Sequence, residues 1–320
     1  MEEGFALWAN PSSPHAEGRA ARRALEDARD RVKAALGWDG EVIFTSGASE
    51  AAALALVRAK AGARLVSAVE HDCILQAAPD AERLPVRPDG ALDLEALAEA
   101  VQRERPFVAV QHVNSETGNR QDLEAAIALV GDAGGLLLAD CAQSAGKFAL
   151  PPCDMAIVSA HKFGGPIGIG ALLVTDFALL EPGGGHERGY RRGTENLPGA
   201  LGMAAALEAA DSTFVDPSVT APLDALPGAL PLANPTPYIR ALSMPSMSAS
   251  AQVMRFDMAG IAVSQGSACS SGTMKTSRVL EAMQVDAGIA ANTIRVSVGW
   301  NTAREDVERF CALWLELARS

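Results

Sequence analysis

The chain has 320 residues, 48% of them hydrophobic, and this length suffices for one large α/β domain plus a smaller one. With 39 acidic and 27 basic residues the net charge is −12, which argues against the basic surface that nucleic acid requires. Residues 1–4 carry neither the basic nor the apolar part of a secretory signal, and no apolar run is long enough to span a membrane. We therefore expect a cytoplasmic protein with no nucleic-acid or membrane partner.

The predicted elements alternate along the chain. Apolar residues recur at steps of three and four through 17–36, which predicts an amphipathic helix. Helices are then predicted from Glu50, Asp93 and Leu123. They fall between apolar runs that predict strands at 42–45, 64–68, 107–113, 136–139, 155–159 and 170–174. This alternation is typical of a largely parallel sheet.

A change of composition predicts a second domain. Seven prolines fall between Pro217 and Pro245 and indicate loops there. We expect a large domain at 13–205 and a small C-terminal domain at 206–320, with residues 1–12 packed near the small one.

The five cysteines are an odd number and form no Cys-x-x-Cys pair, which argues against a disulfide framework and a zinc site. We expect no metal. Four of them adjoin apolar segments and are predicted to be small buried residues: Cys73, Cys141, Cys153 and Cys311.

Ligands of parallel sheets bind beyond the carboxyl ends of the strands, so the polar residues that follow each strand belong together. Residues 46–50, Ser-Gly-Ala-Ser-Glu, open a helix and could hold a phosphate on free backbone N–H groups. The alternative is an ordinary helix cap made by Ser46 or Ser49. Lys162 lies in a polar turn between two apolar runs, where a lysine can bind an aldehyde cofactor covalently or be a solvated surface charge.

Two further strand ends carry candidate residues. Asp140 ends an apolar run and fits a partner for a protonated pyridine nitrogen, or else a helix cap. His71 could stack on a flat heteroaromatic ring and move protons, although a lone histidine is more often structural.

Nine segments in order carry a family resemblance: 10–15 with 18–19, 45–50, 70–71, 112–118, 140–147, 159–170, 183–196, 266–272 and 294–299. They resemble the cysteine desulfurases, which belong to the class V aminotransferase group of fold type I pyridoxal-phosphate enzymes. The resemblance covers most of the chain. It implies an α/β fold with a mostly parallel seven-stranded sheet in the large domain and a smaller α+β C-terminal domain.

The resemblance implies pyridoxal 5′-phosphate (PLP) as cofactor, bound covalently to Lys162, with Asp140 at the pyridine nitrogen. It places Gln143 and Ser115 beside the ring and His71 stacked on it. The phosphate would be held by Ala48, Ser49, Ser159 and His161, and by Thr194 in the neighbouring subunit of a homodimer.

Cys269 and Arg295 complete the implied site. Residues 265–272 form a small, glycine-flanked loop in which Cys269 resembles the cysteine that carries sulfur as a persulfide, although an incidental loop cysteine is the alternative. Arg295, at a strand position, would bind the carboxylate of L-cysteine with help from Asn10, or else form a structural salt bridge. The sulfur would pass to an acceptor protein, for iron–sulfur clusters or a thio-cofactor.

The chain also departs from the family pattern. The usual Asp-Asn-Ala-Ala-Thr-Thr-Pro segment does not precede Asn10, which predicts weaker substrate binding, and Ser115 replaces a usual asparagine, which predicts a shorter or water-mediated cofactor contact. Three alternatives stay open: a class V aminotransferase, a selenocysteine lyase, and a degenerate scaffold without catalysis.

Overall fold

The computed structural model describes residues 1–210, 214–266 and 277–319. Within these ranges the larger sheet has seven strands, in the spatial order β1-β7-β6-β5-β4-β2-β3. Strands β2 to β6 pair in parallel, whereas β7 is antiparallel to β1 and β6, which confirms the predicted mostly parallel sheet. The strands are β1 (Glu41–Thr45), β2 (Arg64–Ser67), β3 (Glu82–Leu84), β4 (Phe107–Gln111), β5 (Leu136–Asp140), β6 (Met155–Ser159) and β7 (Gly170–Val174).

Helices cover both faces of this sheet, because successive residues of each strand point to opposite sides and both sides are apolar. The helices of this part are α1 (Glu2–Ala6), α2 (Ala16–Leu36), α3 (Ala48–Arg58), α4 (Asp72–Ala77), α5 (Leu94–Ala100), α6 (Leu123–Asp132) and α7 (Leu197–Glu208). Leu137 and Ala139 of β5 belong to a buried cluster with residues of α2, α5, α6 and α7, whereas Leu138 belongs to a cluster with residues of α3 and α4.

Helix α1 packs against α7, where Gly4 lies so close to Pro198 that a Cβ on Gly4 would come within 2.6 Å of the Pro198 Cα atom. Most of α7 falls within 13–205, so this contact differs from the prediction that residues 1–12 pack near the small domain. The division between residues 205 and 206 stays a prediction.

The C-terminal part contains a small antiparallel sheet with helices on it, in the order β8-β10-β9. Phe256, Phe310 and Trp314 form its aromatic core, and the rings of Phe256 and Phe310 stack at 4.8 Å between centroids. The elements are β8 (Ile239–Ser243), β9 (Ser264–Gln265), β10 (Thr293–Ser297), α8 (Pro217–Asp224), α9 (Ala249–Met258), α10 (Arg278–Ala282), α11 (Ala287–Ala291) and α12 (Arg304–Leu317).

A buried ion pair fixes the loop between β7 and α7. Arg29 of α2 and Glu187 are both nearly inaccessible, and Arg29 Nη1 donates to Glu187 Oε2 at 2.8 Å. The same oxygen accepts the Phe44 N–H at 2.9 Å. Glu187 and Arg188 both have positive φ, of 45° and 56°, so this contact holds the loop in a conformation that non-glycine residues rarely adopt.

We expect Arg29→Ala to lower the free energy of unfolding by about 3–5 kcal/mol, because it leaves the Glu187 carboxylate buried without its cation. Urea unfolding of the purified protein measures this loss. Arg31→Ala is the matched control, since Arg31 pairs with Glu208 at 2.7 Å where both side chains are partly exposed, and an exposed pair contributes about 0–1 kcal/mol. Equal losses in the two variants would contradict the buried pair's role.

Candidate active site

The carboxyl ends of the parallel strands open into a cavity of about 1040 Å³, which is large enough for a cofactor-sized ligand. The strand-end residues therefore meet, as expected from a parallel sheet. Residues from the C-terminal part close the other side, among them Gly266, Arg278 and Arg295. The predicted site residues that line the cavity are Ala48, Ser49, His71, Ser115, Asp140, Gln143, Ser159, His161, Lys162 and Arg295.

The N-terminus of α3 forms one end of the cavity, and its cap is Gly47, with no side chain accepting from the first turn. The alternative of a Ser46 or Ser49 cap is therefore wrong. Gly47 has φ 152°, a backbone conformation that favours glycine. Uncapped N–H groups at a helix N-terminus bind anions, so this end of the cavity fits a phosphate.

Two side chains beside this N-terminus suit the same anion. A Cβ on Gly47 would lie 3.9 Å from Ser159 Oγ, so the serine hydroxyl is next to the helix end. Ser159 Oγ and His161 Nδ1 are 3.0 Å apart. Burial lowers the pKa of His161, and Lys162 adds to the effect, so both favour the neutral form of the ring.

Glu50 ties the loop of residues 183–196 to the same helix end. Its Oε2 accepts the Ser46 N–H at 2.6 Å, and its Oε1 accepts from Arg191 Nε at 2.8 Å. Burial alone would raise the pKa of Glu50, but the hydrogen bonds from Arg191 and Ser46 outweigh it and lower that pKa. Thr194, three residues after Arg191, is exposed and does not line the cavity of its own chain.

Asp140 is the last residue of β5 and is only 7% exposed. Its Oδ1 accepts the Ala142 N–H at 2.9 Å in a turn, not at the start of a helix, so the helix-cap alternative is wrong. Burial raises the pKa of this carboxyl, whereas the Ala142 N–H, His71 and Lys162 act to lower it. A cationic ring nitrogen in the cavity would stabilise the ionised form further.

Lys162 ends a short 3₁₀ turn, Ala160–Lys162, directly after β6. The Phe163 and Gly165 N–H groups both donate to the Ala160 carbonyl, at 3.1 and 2.9 Å, and fix this turn. The lysine side chain is exposed to the cavity, where an aldehyde could reach its amine.

His71 caps helix α4 and its ring orientation is set locally. Nδ1 accepts the Cys73 N–H at 3.2 Å and lies 3.1 Å from Cys73 Sγ. In the neutral ring the proton therefore sits on Nε2. Burial raises the pKa of Cys73 to about 12, and Asp140 adds to this, so Cys73 is a thiol that can donate to His71.

Arg295 lies on β10 and reaches the cavity from the C-terminal part. Its Nη1 donates to the Ser115 carbonyl at 3.0 Å, which holds one side of the guanidinium. Among the described residues no carboxylate lies within salt-bridge distance of it, so the structural salt bridge expected as an alternative is not present there. This arrangement suits a ligand carboxylate.

Two predicted site residues lie elsewhere, and a third cannot be placed. Asn10 does not line the cavity; its Oδ1 accepts the Ser12 N–H at 2.9 Å in a turn. Thr194 is likewise outside, as described above. Cys269 lies outside the described residues.

Several charged residues of the cavity had no role predicted from the sequence, among them Glu70, Glu116 and Arg278. Glu70 is fully buried after β2, Glu116 accepts from Ser277 Oγ at 2.6 Å, and Arg278 donates to Asp72 at 2.7 Å. Glu70 and Glu116 adjoin predicted site residues, which was a usable signal. Arg278 begins a helix far along the chain, and no local pattern marks it.

Two absences hold for the part of the chain that the structure describes. No helix there combines the length and apolar character needed to cross a bilayer. Nor do His, Cys, Asp and Glu side chains gather there in a group that could hold a metal ion.

The model of the aminotransferase class-V family matches residues 5–310. A cysteine desulfurase of Cereibacter sphaeroides is 37% identical, over 92% of this chain and 85% of its own length. The cysteine desulfurase IscS of an Anaeromyxobacter species is 34% identical, over 96% of this chain and 85% of its own.

Solved structures agree with these relatives. A NifS-like protein from Rickettsia africae superposes with a TM-score of 0.88 at 26% identity, covering 100% of this chain and 95% of that one. SspA in complex with cysteine gives 0.79 at 26% identity, covering 93% of this chain and 95% of the other. The chain belongs to the aminotransferase class-V family, and within it to the cysteine desulfurases.

Proposed function

We propose that the chain is a PLP-dependent cysteine desulfurase, which converts L-cysteine to L-alanine and carries the sulfur as a persulfide on Cys269. The observation that carries this proposal is one cavity that unites a lysine, an uncapped helix N-terminus, a buried aspartate and an arginine. These are the four groups that a PLP enzyme acting on an amino acid needs.

The residues present fit the cofactor. The N-terminus of α3 with Ser159 and His161 suits its phosphate, and Asp140 suits its ring nitrogen. Lys162 would bond to its aldehyde carbon. Gln143 would lie beside the ring, and its position is fixed because its backbone carbonyl accepts from Lys147 Nζ and from the Tyr238 hydroxyl, each at 2.9 Å. When bound, PLP supplies an electron sink for charge that develops at the substrate Cα atom.

The chain's own residues bind the substrate and move protons. Arg295 would hold the carboxylate of L-cysteine, since its guanidinium faces the cavity. The Lys162 amine would take the proton from the substrate Cα and return it later. His71 lines the cavity and, with its proton on Nε2, would donate to the substrate.

Cys269 would complete the reaction from outside the described residues. Its thiolate attacks the substrate sulfur, the Cβ–S bond breaks, and an S–S bond forms on Cys269. The electron pair of the broken bond stays with the substrate carbon skeleton, and protonation there gives alanine. The persulfide then passes to an acceptor protein for iron–sulfur cluster or thio-cofactor synthesis.

The functional unit would be a cytoplasmic homodimer. Thr194 is exposed on a loop that Arg191 ties to the anion end of the cavity, so a neighbouring subunit could receive it at its own phosphate site. This arrangement explains why Thr194 does not line the cavity of a single chain.

The test is turnover of L-cysteine by PLP-loaded protein, with alanine and sulfide both measured in the presence of a thiol reductant. We expect wild-type protein to form both products and Cys269→Ser to lose sulfide release at least about 100-fold, because its hydroxyl cannot accept sulfur. Cys311→Ser is the control, since Cys311 is buried in the C-terminal aromatic core. Undiminished turnover in Cys269→Ser, or an inert wild type that holds PLP, would contradict the proposal.

Arg295→Gln is expected to raise KM for L-cysteine by about 10- to 100-fold, because a charge-assisted hydrogen bond to the carboxylate is worth roughly 1.5–3 kcal/mol. Steady-state kinetics over a wide substrate range measure it. Arg304→Gln is the control, since Arg304 pairs with Glu308 on the exposed face of α12. An unchanged KM in Arg295→Gln would mean that Arg295 does not bind the carboxylate of L-cysteine.

A further inference from the structure

Glu70 is a buried carboxyl group with half of its hydrogen-bonding capacity unused. It follows β2 at the cavity wall and is 0% exposed. Its Oε1 accepts the Gln111 N–H at 2.7 Å. Its Oε2 has no hydrogen-bond partner in the part of the chain described by the structure. A buried polar oxygen without a partner is costly and calls for an explanation.

Glu70 and Asp140 lie on opposite sides of the end of β4. Gln111, which donates to Glu70, ends β4 and is the register partner of Asp140 in β5. Neighbouring strands are about 4.8 Å apart, so Glu70 and Asp140 are neighbours at this end of the sheet, and both line the cavity. Two such groups cannot both be ionised without a large cost in a buried site.

The charges around the pair decide which carboxyl keeps the proton. Burial, and then the nearby Asp140 charge, raise the pKa of Glu70 well above its ordinary value, against the Gln111 N–H and Arg278. Burial raises the pKa of Asp140 as well, but the Ala142 N–H, His71 and Lys162 all act in favour of its ionised form. The charged and titratable groups facing the pair are His71, Asp72, Cys73, Lys162 and Arg278.

We propose that Glu70 is a positioning residue whose carboxyl group, at the cavity wall, is a neutral carboxylic acid with its proton on Oε2, so that Asp140 is the carboxylate of the two that carries the negative charge. The inference rests on the proposed function, because it assigns Asp140 as the single charged partner of the cofactor ring. Oε2 carries the proton because Oε1 already accepts the Gln111 N–H. The ring position therefore faces one negative charge and not two.

The first test compares wild type with Glu70→Gln by urea unfolding of the full-length chain across a pH range. Unfolded Glu70 ionises at its ordinary pKa, whereas folded Glu70 stays protonated to higher pH. Wild type therefore loses stability as the pH rises between those two values, and Gln, which cannot ionise, does not. Between those two pKa values, the ratio of folded to unfolded protein for Glu70→Gln is expected to rise relative to that of wild type by about tenfold per pH unit.

A second arm repeats the comparison in an Asp140→Asn background. Removing the Asp140 charge brings the pKa of Glu70 in the folded protein closer to its ordinary value. The pH range over which ionisation of Glu70 destabilises the fold therefore becomes narrower. We expect the advantage of Glu70→Gln at alkaline pH to shrink there. A side chain that only packs would give a difference independent of pH and of the residue at position 140.

Each outcome decides a separate question. A stability difference between Glu70→Gln and wild type that does not grow with pH would overturn the neutral Glu70 carboxyl. A difference unaffected by Asp140→Asn would overturn the role of the Asp140 charge in keeping Glu70 neutral. PLP uptake by the same proteins is followed by absorbance. Wild type that takes up no PLP would overturn the proposed function, whereas the urea results would still report on the proton.

Discussion

Protein carrying Lys162→Ala is expected to lose turnover of L-cysteine by at least about 10³-fold, since it lacks both the covalent tie to the cofactor and the base at the substrate Cα. It is also expected to lose the yellow colour of PLP-loaded protein after gel filtration. Lys162 is the cavity's lysine at the end of β6, next to His161 and Ser159. Absorbance spectra and alanine production measure the two effects.

Lys60→Ala is the matched control for this variant. Lys60 follows helix α3 and lies outside the cavity, where its backbone N–H donates to the Leu179 carbonyl. We expect it to keep colour and turnover. Normal colour and turnover in Lys162→Ala would show that Lys162 is not the lysine that binds PLP.

The second large effect is expected from Asp140→Ala. Without a carboxylate at the ring nitrogen, turnover should fall by about 10²–10³-fold, as is typical when one preorganised electrostatic partner is removed. The dissociation constant for PLP should rise by roughly 10- to 100-fold, because a hydrogen bond to a charged group is worth about 1.5–3 kcal/mol. Fluorescence titration with PLP and steady-state kinetics give the two values.

Asp122→Ala separates this effect from a general loss of stability. Asp122 caps helix α6, where its Oδ1 accepts the Glu124 N–H at 3.2 Å. Its removal is expected to cost about 1 kcal/mol of stability, and Asp122 is exposed and does not line the cavity. Equal PLP affinities in the Asp140→Ala and Asp122→Ala proteins would mean that Asp140 does not contact the cofactor.

Most of the large sheet could be predicted because its strands are continuous apolar runs bounded by polar turns. Strand β3 escaped prediction, since Glu82 and Arg83 are exposed and only Leu84 is buried at this edge of the sheet. The antiparallel direction of β7 also could not be predicted. Apolar periodicity marks a buried strand but contains no information on its direction.

The cavity was predictable to the extent that its residues follow strands. Lys162, Asp140 and His71 each follow or end a strand, so the rule for parallel sheets brought them together. Arg278 belongs to a helix and lies 208 residues after Glu70 in the sequence, yet its Nη2 donates to the Glu70 backbone carbonyl at 2.9 Å. Local sequence patterns do not encode such tertiary pairs.

The roles of the site residues came from the family resemblance more than from the residues themselves. Physical reasoning alone favoured a helix cap by Ser46 or Ser49, and the structure has Gly47 there instead. Asn10 was expected at the substrate and instead orders its own turn. A motif match identifies a candidate residue, but the packing of distant elements decides whether that residue reaches the site.

The most direct test of the desulfurase account is a single turnover. PLP-loaded protein is mixed with less than one equivalent of L-cysteine without reductant, and both alanine and the mass of each cysteine-containing peptide are measured. We predict one additional sulfur atom on the peptide that contains Cys269 for every alanine formed. Alanine formed with no extra sulfur on that peptide would show that Cys269 does not receive the sulfur of L-cysteine.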